Sequence, residues 1–144
     1  MPLSAGETAW NENHIADFRA HGGAITQGPL KGSNVLLLTT IGAKSGEPRI
    51  SPLGYTRDGD RWVVVGSNSG FAHDPAWLAN VRKDPLVTVE VGTERFRARA
   101  TITSGAERDR LWAAHVAAIP AFARYEEMTE RVIPVVVLER MAGD

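Results

Sequence analysis

The chain has 144 residues, of which 43% are hydrophobic and 23% charged, and its net charge is −1. This composition is typical of one folded domain, and the near-neutral charge argues against a dedicated nucleic-acid binder. Because there is no cysteine, disulfides, thiolate metal sites and a cysteine nucleophile are excluded.

The N-terminal segment predicts an amphipathic helix. Its start, Ser4-Ala5-Gly6-Glu7, fits a capping box, and Gly22-Gly23 predicts its end. Half-apolar and apolar residues recur on one helical face, at Trp10, His14, Ile15 and Phe18. We expect this face to dock onto the rest of the domain. The alternative is weak peripheral contact with a membrane, for which the polar face lacks a cluster of Lys or Arg.

A glycine-bracketed basic loop, residues 40–49, lies between two runs of strand-forming residues. Gly42 and Gly46 leave backbone amides uncovered by side chains, and Lys44 and Arg49 add two cations beside them. An anionic ligand requires this combination of amides and cations. The alternative is a solvated hairpin turn whose basic residues serve only solubility.

Hairpin signals organise the middle of the chain. Asp58-Gly59 precedes the apolar run 62–65, and Gly92-Thr93 separates two alternating runs, 87–91 and 95–102. The alternation predicts strands with one buried and one solvated face, so Arg95 is expected on a solvated face opposite Glu90. The runs 35–38, 50–56 and 133–138 add three strands, the last of them buried on both faces. We therefore predict about six strands.

A second glycine- and serine-rich loop, residues 66–70, connects the strand at 62–65 to a predicted helix. Asp74 is expected at the N-cap and Pro75 at the first helical position. A loop that enters a helix N-terminus offers free amides at the positive end of the helix dipole. Neither loop matches G-x-x-x-x-G-K-[ST] or G-x-G-x-x-G, which disfavours a P-loop NTPase or a Rossmann dehydrogenase.

The C-terminal third predicts two helices. Ser104-Gly105-Ala106-Glu107 fits a second capping box, and His115 lies on the apolar face of the helix that follows. We expect His115 to be a packed side chain rather than a catalytic base. Pro120 opens a shorter helix that carries Phe122, Tyr125 and Met128.

Taken in order and with their spacing, the segments 37–53, 58–65, 67–70, 73–80 and 133–136 resemble the deazaflavin-dependent nitroreductase family, a family of F420H2-dependent reductases. The resemblance extends from about Asn34 to Glu139. It implies an α+β fold in which a split β-barrel of the FMN-binding type is flanked by helices. The implied domain is single, residues 1–144, with an N-terminal helix and lead-in at 1–33 and the barrel at 34–140. Coenzyme F420 is the implied hydride donor, and a cytoplasmic location is expected since no signal or membrane-length segment is visible.

The resemblance carries ten cofactor-binding positions onto this chain: Lys44, Ser45, Arg49, Pro52, Leu53, Ser67, Asn68, Gly70, Trp77 and Asn80. It implies that Lys44 and Arg49 hold the phosphate and acidic tail, and that Pro52 and Leu53 line the deazaflavin ring. Trp77 could equally be a core residue. Asn68 replaces a lysine that is common in the family, which predicts weaker binding of the tail. No metal is implied.

The short helix is expected to contact a flat conjugated substrate through the catalytic-site residues Phe122 and Tyr125. Family members carry tyrosines here, whereas this chain has Ile119 and Phe122 at two of the positions. Fewer phenols predict poor nitroimidazole reduction and favour an activated alkene, an enone or a quinone. The alternatives are an FMN-dependent split-barrel oxidoreductase and a non-catalytic carrier of an apolar or lipid ligand. The sequence leaves the oligomeric state open.

Overall fold

The fold is a curled antiparallel sheet with helices on both faces. The computed structural model describes residues 5–26, 31–66, 75–129 and 132–141, with side chains from residue 12 onward. Within these residues the strands follow the order β2-β1-β5-β6-β7-β4-β3. The elements are α1 (Ala5–Ala20), β1 (Val35–Ile41), β2 (Pro48–Gly54), β3 (Thr56–Asp58), β4 (Arg61–Val65), α2 (Ala76–Lys83), β5 (Leu86–Val91), β6 (Glu94–Ile102), α3 (Gly105–Ala118), α4 (Phe122–Met128) and β7 (Val135–Arg140).

The predicted strand at 50–56 is two strands, so the described residues contain seven strands rather than about six. The break falls at Tyr55, whose N–H donates to the Asn34 carbonyl at 3.1 Å, outside the regular β1–β2 ladder. The chain then leaves β1 and pairs with β4 instead. The prediction of one strand was wrong because the pattern of side chains does not report which neighbour a backbone amide finds.

Both predicted hairpins are confirmed. Gly59 (φ +63°) and Gly92 (φ +58°) take left-handed conformations at the turns, which glycine adopts without the steric cost of a Cβ atom. Glu90 lies opposite Arg95 in the β5–β6 register. The Glu90 carboxylate pairs with Arg19 of α1, from whose guanidinium it accepts hydrogen bonds at 2.9 and 3.1 Å.

Apolar side chains form three clusters. The inner cluster fills the concave side of the sheet between the strands and α2: Leu36, Leu38, Trp62, Val64, Trp77, Leu78, Val81, Val87, Val89, Phe96, Ala98, Ala100, Val136 and Leu138. The outer cluster lies under α3: Val63, Val65, Leu111, Trp112, Ile133, Val135 and Val137. Residues 135–138 alternate between the two clusters, so this strand is buried on both faces, as its continuous apolar run predicted.

The third cluster joins α1 to the outer side of β1. It contains Phe18, Ile25, Val35 and Leu37, and Phe18 is only 2% exposed. His14 is buried as well. The predicted docking of this helical face is therefore confirmed for these two side chains, while Ser4 and the side chain of Trp10 lie outside the described residues. None of the described helices is long and apolar enough to cross a membrane.

Three helix starts differ in detail from prediction. Helix α4 begins at Phe122, two residues after Pro120, with Ala121 as its N-cap. Helix α2 begins at Ala76, and Pro75 is its N-cap with an extended ψ of 153°, one residue later than expected. Helix α3 begins directly after Ser104, as predicted, but the Ser104 side chain makes no capping hydrogen bond. The second capping box is therefore wrong in its hydrogen bonding, although it located the start of the helix.

Candidate functional site

The basic loop is a compact turn between β1 and β2, closed by its own backbone. The Gly42 N–H donates to the Glu47 carbonyl at 2.8 Å, and the Gly46 N–H donates to the Gly42 carbonyl at 2.9 Å. Gly46 has a φ of +71°. A Cβ atom at position 42 would lie 2.4 Å from the Ser45 hydroxyl. The positive φ favours glycine at position 46, whereas a Cβ atom at position 42 would displace the Ser45 side chain and lie 3.2 Å from the Glu47 carbonyl.

The predicted cations of this loop are exposed and only loosely engaged. Lys44 has no hydrogen-bond or ion-pair partner among the described residues. The Arg49 guanidinium lies 3.5 Å from the Ser45 hydroxyl and 3.6 Å from a Glu47 carboxylate oxygen. Contacts of this length are weak. Lys44, Ser45 and Arg49 therefore lie together in the loop, and the charges of Lys44 and Arg49 are available to an anionic ligand.

Helix α2 contacts this loop through two polar side chains. The Asn80 Oδ1 accepts a hydrogen bond from the Ala43 N–H at 2.8 Å, and the Asn80 Nδ2 donates to the Thr40 hydroxyl at 3.0 Å. The Lys83 ammonium donates to the Ala43 carbonyl at 2.7 Å. Sequence reasoning missed Lys83, although its spacing of three residues from Asn80 places both on one side of the helix.

Trp77 and Asn80, both predicted to bind the cofactor from α2, are buried, at 5% and 7% exposure. Trp77 packs into the inner cluster beside Leu78 and Val81, which agrees with the core interpretation left open by its sequence. The amide of Asn80 is occupied at both ends within the protein. Their cofactor contacts stay predictions.

Strand β2 connects the basic loop to the predicted ring-binding positions. Pro52 is buried and pairs with Leu37 of β1, and Leu53 packs partly buried against the inner cluster. Among the described residues β2 pairs only with β1, so its other edge is free of ladder hydrogen bonds. Its two prolines, Pro48 and Pro52, are compatible with an edge strand because proline cannot donate to a ladder. From Pro48 to Gly54 a strand of this length spans about 20 Å.

An aromatic face lies at the far end of β2. The Phe122 ring meets the Tyr125 ring edge-on, with centroids 5.3 Å apart. Both side chains are half-buried against the outer cluster. A Cβ atom at Gly54 would lie 3.9 Å from the Phe122 ring, so helix α4 begins over the last residue of β2. The two predicted substrate residues are therefore adjacent and share one surface.

His115 packs against the buried side of this aromatic face. Its ring is fully buried and meets the Phe122 ring edge-on at 4.6 Å. Its Nδ1 lies 2.9 Å from the Thr56 hydroxyl, while its Nε2 has no hydrogen-bond partner in the described part of the chain. Burial lowers the pKa of His115 to about 4, because the charged imidazolium loses its hydration. The ring is thus neutral at pH 7 and packed, as predicted from its place on the apolar face of α3.

The predicted contacts in the second loop are not described. Ser67, Asn68 and Gly70, together with Asp74, lie outside the described residues. Their contribution to a ligand site stays a prediction. The described part of the site therefore consists of the basic loop, strand β2 and the aromatic face.

These parts suit an anionic group at one end of β2 and flat conjugated molecules at the other. Exposed cations lie at the start of β2, and half-buried aromatic rings lie about 20 Å away at its end. Guanidinium and ammonium groups bind phosphates and carboxylates, whereas aromatic faces bind conjugated rings. The basic loop and the free edge of β2 thus fit a coenzyme with a phosphate-bearing acidic tail and a flat ring, and the aromatic face at the end of β2 fits a second flat molecule, the substrate.

Comparison with known proteins gives an independent result. A model of the F420H(2)-dependent quinone reductase family matches residues 10–140. The F420H(2)-dependent quinone reductase Rv1261c of Mycobacterium tuberculosis (strain ATCC 25618 / H37Rv) is 36% identical over 130 residues, which cover 88% of this chain and 87% of that protein.

Two solved structures share the fold. An F420-H2 dependent reductase, FDR-A, superposes with a TM-score of 0.68 at 36% identity, covering 74% of this chain and 94% of that chain. A structure described as a domain-swapped dimer has a TM-score of 0.71 at 31% identity, covering 92% of this chain and 99% of that chain. The predicted α+β split barrel is confirmed.

Proposed function

Because this chain belongs to the F420H(2)-dependent quinone reductase family, and is therefore an F420-dependent reductase with coenzyme F420 as its cofactor, we propose that its substrate is a quinone. The observation that supports this proposal is the placement of a basic loop and an aromatic face at opposite ends of one free-edged strand. The family match favours this function over the FMN-dependent and carrier alternatives.

In the proposed complex, the chain's own residues bind and orient. Lys44 and Arg49 neutralise the acidic tail, and Arg49 offers a bidentate fork for a phosphate or carboxylate. The edge of β2 at Pro52 and Leu53 lies beside the ring. No charged side chain of this chain needs to form a covalent bond, because the reduced coenzyme supplies a hydride when bound.

The substrate is held by α4 in this proposal. A quinone becomes a hydroquinone when it gains one hydride and one proton. The Phe122 ring provides an apolar surface for the flat substrate. The Tyr125 phenol donates a hydrogen bond to the carbonyl oxygen on which negative charge develops. His115 contributes no proton at pH 7, since burial lowers its pKa to about 4.

The same surface suits an enone or another activated alkene, whose conjugated carbonyl presents a similar plane and oxygen. A nitroimidazole is expected to react slowly, because Ile119 and Phe122 replace two phenols that would contact the nitro group. We therefore expect higher reduction rates for a quinone or an enone than for a nitroimidazole.

Two measurements test the proposal. Fluorescence titration should show that the protein binds F420 more tightly than FMN. Steady-state rates with reduced F420 should be measured on a soluble naphthoquinone, an enone and a nitroimidazole. Tyr125→Phe should lower the rate on the quinone while leaving the coenzyme Kd nearly unchanged. Tyr55→Phe is the matched control, because Tyr55 is the only other tyrosine and packs against the inner cluster. Equal quinone rates in the parent and Tyr125→Phe would refute the role of α4.

A further inference from the structure

Helix α2 holds one residue of the basic loop, Ala43, at both of its backbone polar groups. Ala43 precedes Lys44, and α2 holds both of its backbone polar groups: its N–H by Asn80 at 2.8 Å and its carbonyl by Lys83 at 2.7 Å. Asn80 and Lys83 are one helical turn apart. The two contacts therefore fix the backbone of Ala43 from both sides.

Asn80 is placed to act within the protein rather than on a ligand. It is 93% buried, and its Nδ2 donates at 3.0 Å to the hydroxyl of Thr40, which is itself fully buried. One amide thus joins the end of β1 to the loop and anchors both on α2. A buried amide with both ends engaged holds its partners firmly, because any movement leaves a desolvated polar group unpaired.

The next residue along the chain, Lys44, is one of the two exposed cations of the site. Since Ala43 is held by Asn80 and Lys83 and the turn is closed between Gly42 and Glu47, the direction in which Lys44 leaves the backbone is restricted. A lysine that leaves a fixed backbone binds an anion more tightly than one on a mobile loop, since less backbone entropy is lost on binding.

We infer that Asn80 is a positioning residue for the anionic part of the coenzyme, acting through Ala43 on Lys44. Lys83 acts in the same way, and we call Asn80, Lys83 and Thr40, the second partner of the Asn80 amide, the clamp. This inference rests on the proposed function, in which the basic loop receives the acidic tail. It moves Asn80 from the coenzyme surface to the support of the loop and adds Lys83, a residue without a predicted role.

The test combines coenzyme affinity with loop order. Asn80→Ala should raise the Kd for F420 severalfold but by no more than Lys44→Ala does, because the variant keeps the cation and releases only the backbone that directs it. The kcat at saturating coenzyme should change by less than about twofold, because the substrate surface on α4 is untouched. Hydrogen–deuterium exchange of the Ala43 amide should become faster in the coenzyme-free protein.

A double-mutant cycle separates positioning from a general loss of structure. If Asn80 acts through Lys44, then Asn80→Ala should have a much smaller effect on the Kd in a Lys44→Ala background. Thr40→Val, which removes only the second partner of the amide, and Lys83→Met should each raise the Kd by a smaller factor. Lys31→Met is the control for Lys83→Met, because Lys31 is an exposed lysine outside the loop; its Kd should match that of the parent.

The outcomes are distinct. Should Asn80→Ala fold poorly, Thr40→Val and Lys83→Met carry the test alone. A parent that binds F420 while all folded clamp variants keep the parental Kd would overturn the inference and leave the proposed function intact. An Asn80→Ala effect of equal size with and without Lys44 would also overturn it. A parent that binds no F420 would refute the proposed function itself.

Discussion

Acidification from pH 7 to pH 5 should destabilise this protein through one buried histidine. The His115 ring is fully buried, and burial lowers its pKa from 6.5 to about 4. In the unfolded chain the same ring takes up a proton below pH 6.5. Between these two values the unfolded state binds more protons than the folded state, so the free energy of unfolding falls as the pH falls.

The size of the effect follows from the two pKa values. Full protonation of the unfolded state against a neutral folded ring would cost about 3 kcal/mol, reached near pH 4. Between pH 7 and pH 5 the expected loss is about 2 kcal/mol. The contribution of His115 to the pH dependence fades above pH 6.5, as the unfolded-state ring loses its proton, and is nearly absent about one pH unit higher. Asp58 acts in a separate window: hydrogen bonds from Arg110 and Arg61 lower its pKa from 3.8 to about 2, so its stabilisation is lost only below pH 3.8.

Urea unfolding, followed by tryptophan fluorescence at pH 7 and pH 5, measures this loss. His115→Leu should reduce the difference between the two pH values, whatever its effect on absolute stability. His21→Gln serves as the control: it removes a half-exposed imidazole and its 2.9 Å contact with the Asp17 carboxylate but leaves His115 in place, so the variant should retain the loss due to His115. The reasoning fails if His115→Leu loses as much stability as the parent between pH 7 and pH 5.

Two further predictions concern glycine and the basic loop. Gly23→Ala should destabilise the fold by more than about 2 kcal/mol, because the new Cβ would lie 2.4 Å from the Gly92 Cα at a φ of +97°; Gly32→Ala, with a positive φ but open space, should cost only about 1 kcal/mol. Equal costs in thermal or urea unfolding would contradict this account. Arg49→Ala should weaken F420 binding by roughly 1.5–3 kcal/mol, and Lys44→Ala by less. Unchanged affinity of both variants in fluorescence titrations would remove this loop from the site.

The sequence by itself determined the elements whose signals are local. Asp58-Gly59 and Gly92-Thr93 located two hairpins, because a tight turn requires φ > 0 within two residues and the flanking alternation reports burial directly. The continuous apolar run before Glu139 predicted a strand buried on both faces, because an apolar side chain at every position leaves no polar face for solvent. The basic loop was also visible, since its glycines and cations are consecutive in the chain.

Only the tertiary structure decided the contacts between distant residues. Asn80 and Ala43 are 37 positions apart, and His115 and Thr56 are 59 positions apart. A buried amide or imidazole chooses its partner from whatever the fold brings within about 3 Å, and no local pattern encodes that choice. Residue types and turn geometry thus predicted where the cations and rings lie in the chain. The packing of α2 and α3 against the sheet decided what holds those groups in place, because burial leaves each polar atom only the partners within its reach.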